Sequence, residues 1–338
     1  MDAALYLAIA LALAFALTNG FHDAANAIAT LVATRGATPL QAISLSSTFN
    51  LLGAIVFGTA VADTIGSIVQ LPSGETVAAI GAGLAGATAW NLITWWRGMP
   101  SSSGHALVGG LVGSAIAAGG THAVNWGGMD GLHPVGVIGT LVALLVSPPI
   151  GFAVGFILLR LTRRAARRWT DRWRGPVVGS EWVAAAGLSY SHGANDAQKA
   201  MGVITALLLA SGHAQDFTVP LWVKVVTGLT LTLGTALGGW RIVRTVGRRI
   251  FNLRPLDSLA SQVTSTAVIF GASLVGGPVS TTQIVSSSVV GTGAGRRRWR
   301  HVRWEVVRSM GIAWVTTLPA AALLGVAFLG LWKGVASL

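Results

Sequence analysis

The polar segment Gly20-Phe21-His22-Asp23-Ala24-Ala25-Asn26-Ala27 lies inside an apolar stretch near the start of the chain. A related segment returns in the second half as Gly193-Ala194-Asn195-Asp196-Ala197-Gln198-Lys199-Ala200, with the glycine, the aspartate and the final alanine in register. An ionisable side chain within an apolar membrane segment is costly and usually marks a functional site. The two matched motifs therefore predict one site that is built from two halves of the chain.

The composition is that of an integral, multi-spanning membrane protein. Apolar residues make up 52% of the 338 residues and charged residues only 10%, so apolar segments dominate the chain. No cysteine is present, which excludes a disulfide framework and a thiolate metal site. The first apolar run carries Asp2 instead of a basic start and continues into the first motif. We therefore do not expect a cleaved signal peptide.

The net charge of +12 would suit a nucleic-acid-binding protein, but the position of the basic residues argues against one. Seven arginines lie in 160–174, five in 241–254 and six in 296–308, together 18 of the 23 basic residues. These segments separate apolar stretches, as cytoplasmic loops do under the positive-inside rule. We predict that they contact the anionic lipids of the bilayer and that the protein binds no nucleic acid.

The apolar elements form two series with the same order of element types. Each element is long enough to cross a bilayer, which takes ~20 residues in a helix. An odd number of crossings between them makes the halves inverted. The sequence thus predicts an all-α polytopic membrane protein with two inverted-topology repeats, each containing a re-entrant or broken-helix hairpin. The predicted elements are 3–34, 38–62, a bent pair at 76–120 and 133–160, followed by 178–211, 219–242, a bent pair at 257–293 and 305–335.

The Arg-rich segment divides the chain into a first inverted repeat at 1–160, a cytoplasmic linker at 161–177 and a second inverted repeat at 178–338. With this linker inside, both termini of the multi-pass protein lie outside the plasma membrane. The remaining charges agree with this topology, since Arg35 falls inside. The predicted outer segments hold Asp2, Asp63, Glu75, Asp130 and Asp216.

The two bent pairs carry a second repeated motif. Pro100-Ser101-Ser102-Ser103-Gly104-His105 aligns with Pro278-Val279-Ser280-Thr281-Thr282-Gln283. Proline ends one helix and a hydroxyl-rich stretch starts the next, and unpaired amides at a helix start attract anions. This arrangement predicts a cradle for a tetrahedral oxyanion. Its expected ligands are Ser101, Ser102, Ser103, Ser280, Thr281 and Thr282.

The two aspartates require a cation beside such an anion. A carboxylate about 4 Å from an anion is repelled by roughly 4 kcal/mol at an effective dielectric constant of about 20. Asp23 and Asp196 must therefore be protonated, paired or bridged by a cation, which favours symport over a channel. His22 is adjacent to Asp23, and His192 lies one helical turn before Asp196. Histidine titrates near physiological pH, which suits proton coupling.

The paired motifs and the inverted halves resemble the inorganic phosphate transporter (PiT) family over nearly the whole chain. The resemblance implies uptake of inorganic phosphate with sodium or protons and leaves open that phosphate is carried as a metal-phosphate complex. No cofactor other than the co-transported proton or sodium ion is expected. By position, the resemblance assigns substrate binding to Asp23, Asn26, Asn195 and Asp196 together with Ser101, Ser102, Ser103, Ser280, Thr281 and Thr282.

The two motifs are not identical, and the differences bear on the coupling ion. The first motif has His22 where the second has Asn195, and the second has Lys199 where the first has Asn26. These variants resemble the bacterial low-affinity, proton-coupled branch of the family. Proton coupling would then use His22, Asp23, Asp196 and Lys199. A sodium-coupled protein would instead hold its metal ion with Asp23, Asn26, Asn195 and Asp196.

Other interpretations remain open at this stage. A sulfate or other oxyanion permease of related architecture would use the same cradle. An intramembrane lipid-phosphate enzyme could use His22 or His192, but no flanking catalytic signature is present, so we do not expect an enzyme. Arg97 either attracts the anion or lies at the inner surface beside Trp96. A homodimer is expected only by analogy with similar carriers.

Overall fold

Eleven α-helices form the described part of a computed structural model, which covers residues 2–168, 171–238, 252–296 and 302–336. A two-stranded antiparallel ribbon, β1 (Gly128–Asp130) and β2 (His133–Val135), precedes α6. The first half contains α1 (Asp2–Ala33), α2 (Pro39–Val56), α3 (Ala60–Gly66), α4 (Ser73–Trp96), α5 (Ser103–Gly119) and α6 (Gly136–Ala165). The second half contains α7 (Arg174–Ala210), α8 (Leu221–Leu237), α9 (Pro255–Leu274), α10 (Thr281–Gly295) and α11 (Trp304–Ala336).

The helices are those of a polytopic membrane protein, as predicted. Among the described residues, α1, α2, α4, α6 and α11 are long and apolar enough to cross a membrane. Helix α7 has 37 residues, but its middle carries the second polar motif. Much of the basic segments at 241–254 and 296–308, and the end of the element predicted at 219–242, lies outside the described residues. The division at 161–177 and the outer position of the termini stay predictions.

Helices α1 and α7 run in opposite directions past the centre of the protein. The first half of α1, from Leu5 to Ala16, shares an apolar cluster with the last part of α7, from Ala197 to Leu208. A second apolar cluster joins the end of α1, at Ala27–Leu31, to the first part of α7, at Ala185 and Leu188. The polar motifs lie between these clusters. This antiparallel relation is the inverted topology that the repeated motifs predict.

The two halves interlock because each packs its helices against the other. Helix α1 packs on α8, and α2 packs on α7. Helix α6 packs on the second hairpin, α9 and α10, and α11 packs on the first hairpin, α4 and α5. The glycine that opens each motif is needed at these crossings. A Cβ on Gly20 would lie 2.2 Å from the Leu231 carbonyl oxygen, and one on Gly193 would lie 2.1 Å from the Asn50 carbonyl oxygen. Such close backbone approach is a common use of glycine in membrane helices.

Each predicted hairpin consists of two helices joined by a short irregular tip. Gly98 follows the first arm α4 with φ of 65°, and Gly276 follows the arm α9 with φ of 71°. These left-handed conformations favour glycine. The second arms begin at hydroxyl caps, since Ser102 accepts from the His105 amide at 3.2 Å and Ser280 accepts from the Gln283 amide at 3.3 Å. The tips therefore end in open helix N-termini.

The element predicted at 38–62 is split into two helices. The capping box of Thr38 and Gln41 starts α2, which ends at Val56, and α3 begins at Ala60. The side chain of Gln198, from the second motif, accepts hydrogen bonds from the amides of Val61 and Ala62 at 2.9 and 3.3 Å. A long-range contact thus caps α3, which explains why the local sequence did not predict the break.

Candidate functional site

The two motifs meet in the buried centre of the protein. Asp23 is 3% exposed and Asp196 is 1% exposed. The ligand atoms of Asp23, Asp196 and His192 all lie within 4.8 Å of one another. The carboxylates from the two halves therefore occupy one site, between the tips of the two hairpins.

Asp23 of α1 accepts hydrogen bonds from both hairpins. Its Oδ1 atom accepts from the Thr282 hydroxyl at 2.5 Å and from Asn26 Nδ2 at 3.1 Å. Its Oδ2 atom accepts from the Ser103 hydroxyl at 3.3 Å, and His22 Nδ1 lies 3.4 Å from Oδ1. Asn26 Nδ2 also donates to Thr282 at 3.0 Å. This carboxylate thus links α1 to the starts of both α5 and α10.

Asp196 of α7 has a different set of partners, which includes the positively charged side chain of Lys199. The Lys199 ammonium donates to Oδ1 of Asp196 and to the Val279 carbonyl oxygen at 2.9 Å. His192 Nε2 lies 2.9 Å from Oδ2, to which the Thr281 hydroxyl also donates at 3.1 Å. Lys199 is 1% exposed. The ion pair is therefore fully buried, and removal of either partner would strongly destabilise the protein.

Lys199 also lies close to the first hairpin. A Cβ on Gly104 would be 3.5 Å from its Nζ atom. Its ammonium is thus held between the start of α5 and the tip that precedes α10. The ammonium and the amides at both helix starts are thus the positively charged or polarised groups beside the two carboxylates.

The residue before each aspartate fixes a hairpin of its own half. His22 Nε2 lies 3.3 Å from the Thr94 hydroxyl and 3.2 Å from the Ser101 hydroxyl. Asn195 Nδ2 donates to the Ser273 hydroxyl at 2.9 Å and to the Gly277 carbonyl oxygen at 3.0 Å. The two positions are structurally equivalent although their side chains differ. The contacts of Asn195 thus face the hairpin of its own half, whereas Asn26 contacts Asp23 and the hairpin of the other half.

The six hairpin hydroxyls fall into two groups. Ser102 and Ser280 cap helices, and their side-chain oxygens accept from backbone amides. The other four contact side chains of the motifs or of α4. They are Ser101, Ser103, Thr281 and Thr282.

Several polar residues of the site were not singled out from the sequence. His192 Nδ1 lies 3.1 Å from Asn50 Oδ1, and Asn50 Nδ2 donates to the Thr235 hydroxyl at 3.0 Å. Asn50 is a lone amide within the apolar segment of α2, which is the signal that could have identified it. Thr94 and Ser273 lie at the ends of ordinary apolar arms, and no sequence signal marks them.

The remaining candidates lie beside the site. Gln283 and His105 face a cavity of about 530 Å³ that Pro148 and Trp314 also line. Arg97 is exposed just after the end of α4, next to Trp96. Its position therefore agrees with a surface residue and not with a charge inside the polar cluster.

A metal ion would have oxygen ligands available in this site. The Oδ1 atoms of Asn26 and Asn195 are buried and have no hydrogen-bond partner among the described residues. Asp23, Asp196 and His192 are close enough to share one cation. Carboxylate and amide oxygens suit hard cations such as sodium or magnesium, and the imidazole suits a transition metal. The ammonium of Lys199 competes with any cation beside Asp196.

The fold and the site together define a membrane transporter of two inverted repeats with broken-helix hairpins at its centre. A family model described as the phosphate transporter family matches residues 19–179 and 176–325. The chain belongs to this family, which confirms the resemblance stated from the motifs. It is therefore a transporter and not an enzyme.

The chain is similar to proteins from several bacteria. It is 43% identical to a "probable low-affinity inorganic phosphate transporter" of Bacillus subtilis, over 96% of this chain and 97% of the relative. A protein of the same name from Rhizobium meliloti is 40% identical, over 94% of this chain and 92% of the relative. A solved structure titled "The sodium-dependent phosphate transporter" is 23% identical and superposes with a TM-score of 0.85 over 98% of this chain and 99% of its own. This last likeness concerns the fold.

Proposed function

We propose that the chain imports inorganic phosphate across the plasma membrane by symport with protons, through alternating access of its two inverted halves. The observation that carries the coupling proposal is the buried Lys199 ammonium, which neutralises Asp196 within the site. A sodium-coupled site would need that carboxylate for its metal ion. Here a fixed cation occupies the position, and Asp23 is left as the carboxylate that a mobile cation must neutralise.

The charge balance of the site supports this interpretation. Asp23, Asp196 and Lys199 together carry one net negative charge when both histidines are neutral. One proton on Asp23 cancels that charge and removes the repulsion of an incoming anion. A protonated Asp23 can also donate a hydrogen bond to phosphate. Proton and phosphate binding would then be cooperative.

The substrate proposal rests on the hairpin tips and on the relatives. Two helix N-termini with hydroxyl-bearing first turns face the site, and such donors suit a tetrahedral oxyanion. The relatives from Bacillus subtilis and Rhizobium meliloti are named for inorganic phosphate. The residues proposed to bind substrate are Asp23, Asn26, Ser101, Ser102, Ser103, Asn195, Asp196, Ser280, Thr281 and Thr282. Those proposed for the coupling proton are His22, Asp23, Asp196 and Lys199.

Several finer proposals accompany this function. The termini lie outside, and the segment at 161–177 is a cytoplasmic linker whose arginines contact anionic lipid. A homodimer and transport of a metal-phosphate complex rest on resemblance alone.

The test is uptake of labelled phosphate into proteoliposomes under separately imposed proton and sodium gradients, with sulfate as competitor. We expect uptake with the proton gradient alone and weak competition by sulfate. A strict sodium requirement would contradict the role given to Lys199 and would assign the cation to Asp23 and Asn26. Strong competition by sulfate would make the protein a general oxyanion permease.

A further inference from the structure

A row of polar side chains runs along α1 from the site toward its C-terminal end. Asp23, Asn26, Thr30 and Thr34 are three or four positions apart, so they share one face of the helix. At the end of this row, the Thr34 hydroxyl donates to Glu181 Oε1 of α7 at 3.0 Å. Glu181 is 0% exposed. The row thus extends from the central carboxylate to a second buried carboxylate.

Helix α9 supplies the other wall of this path. Gln262 Nε2 donates to the Thr30 hydroxyl at 2.9 Å, and Ser258 faces the carboxylate of Glu181. Gln262 is 1% exposed, and its Oε1 atom has no hydrogen-bond partner among the described residues. A buried amide oxygen without a partner can accept a hydrogen bond from a water molecule or a hydroxyl. We name Thr30, Thr34, Glu181, Ser258 and Gln262 the polar path.

The equivalent positions of the opposite repeat are apolar. If the two motifs are aligned on their aspartates, Thr30 and Thr34 correspond to Val203 and Leu207, and Glu181 corresponds to Ala8. If the hairpins are aligned on their prolines, Ser258 and Gln262 correspond to Ile80 and Leu84. These five apolar residues are all buried. The structure is pseudo-symmetric, but only one of the two halves carries hydrogen-bonding side chains at these five positions.

The surroundings of Glu181 distinguish it from the other buried carboxylate on this side. Asp257 of α9 is paired with Arg296, which follows α10. The Thr34 hydroxyl donates to Oε1 of Glu181, whereas Oε2 of Glu181 and the nearby Ser258 hydroxyl have no hydrogen-bond partner among the described residues. Arg35, one residue after Thr34, is exposed. A carboxylate held by a hydroxyl can take up and release a proton without breaking an ion pair.

We propose that Glu181 is a second proton-binding site, which receives the coupling proton from Asp23 along the polar path and releases it on the side of the Arg-rich linker. This proposal rests on the proposed proton symport and specifies its exit step. The proton moves from one carboxyl group to the other through the intervening hydroxyl groups and water, so no covalent bond to carbon changes. Phosphate itself does not use the path.

The test separates net transport from exchange. Net uptake requires the proton to leave, whereas exchange of internal for external phosphate can proceed with the proton still bound. Glu181→Gln keeps the shape and the hydrogen bonds but cannot release a proton. In proteoliposomes we expect proton-driven net uptake to fall about tenfold or more and phosphate exchange to stay within about twofold of the wild type.

Glu75→Gln makes the same chemical change at an exposed carboxylate in the first turn of α4, and it should leave both activities unchanged. Unchanged net uptake in Glu181→Gln, or an equal loss of exchange and uptake in folded protein, would overturn the proposal. If Glu181→Gln does not fold, Gln262→Leu decides the same question, because it interrupts the path without removing a charge. A wild-type protein without proton-driven uptake would overturn the proposed function first.

Discussion

Thr282, in the first turn of α10, donates its hydroxyl to Asp23 of α1 at 2.5 Å. The preceding residue, Thr281, donates to Asp196 of α7 at 3.1 Å. Adjacent hydroxyls of one hairpin thus hold the carboxylates of both halves. Movement of this hairpin relative to α1 and α7 would therefore change the hydrogen bonding of both carboxylates together.

Thr282→Val should lower the rate of phosphate uptake about tenfold or more, because it removes one hydrogen bond to a buried carboxylate, worth ~1.5–3 kcal/mol. The matched control is Thr292→Val, in the same helix, whose hydroxyl donates only to the Val289 carbonyl oxygen among the described groups. Uptake at saturating and at low phosphate checks both variants. Equal effects of the two substitutions would remove the special role of Thr282.

Asp23→Asn and Asp196→Asn should both abolish proton-driven uptake but should differ in stability. Asp196→Asn leaves the buried Lys199 ammonium without its carboxylate, which costs ~3–5 kcal/mol when such a pair is broken. Asp23 has no lysine or arginine partner among the described residues, so its replacement should cost less. Thermal unfolding in detergent measures this difference. The double variant Asp196→Asn, Lys199→Met should recover part of the lost stability.

Lys199→Asn makes the second motif match the first at this position. Removal of the fixed ammonium leaves Asp196 open to a mobile cation, and we expect phosphate uptake to become dependent on sodium. The measurement is uptake as a function of sodium concentration without a proton gradient. Sodium-independent uptake by the variant at the wild-type rate would contradict the role assigned to Lys199. Lys199→Arg, which keeps the charge, serves as the control.

Gly20→Ala should destabilise the protein by about 1–3 kcal/mol or prevent its accumulation, as overpacking of a tight interface does. The new Cβ would lie 2.2 Å from the Leu231 carbonyl oxygen, a backbone atom that cannot rotate away. Gly311→Ala is the control, since its added Cβ would have no atom within 4 Å in the described part of the chain, apart from its chain neighbours and its own helix backbone. Thermal unfolding of the two purified variants checks the prediction. Similar unfolding temperatures would contradict it.

The sequence predicted those features that depend on local chemistry or on repetition. The matched Asp23 and Asp196 predicted two related halves, and the odd number of crossings between them predicted that these halves are inverted. The proline-containing tips at Pro100 and Pro278 predicted the paired hairpins. Glycine and proline restrict the backbone at the place where they occur. Hence the hairpins could be located from the chain alone, close to their final boundaries.

Features that depend on distant contacts could not be predicted in this way. Gln198 caps α3 from another helix, and Asn50 reaches His192 only after α2 packs on α7. Hydroxyl-rich sequence likewise did not distinguish Ser102, which caps α5, from Ser103, which contacts Asp23. Adjacent residues on a helix start point in different directions, so their roles depend on which neighbour the fold supplies.

The glycine crossings have a mechanical consequence. At the crossing of α1 and α8, a Cβ on Gly234 would lie 2.2 Å from the Leu17 carbonyl oxygen, and at the crossing of α2 and α7, one on Gly53 would lie 2.1 Å from the Tyr190 carbonyl oxygen. Backbones that touch leave no layer of side chains to change rotamer as the helices slide. We therefore expect these four helices to behave as one stiff frame. If the protein rearranges during transport, we expect the movement to occur between this frame and the hairpins with the α6 and α11 helices that pack on them.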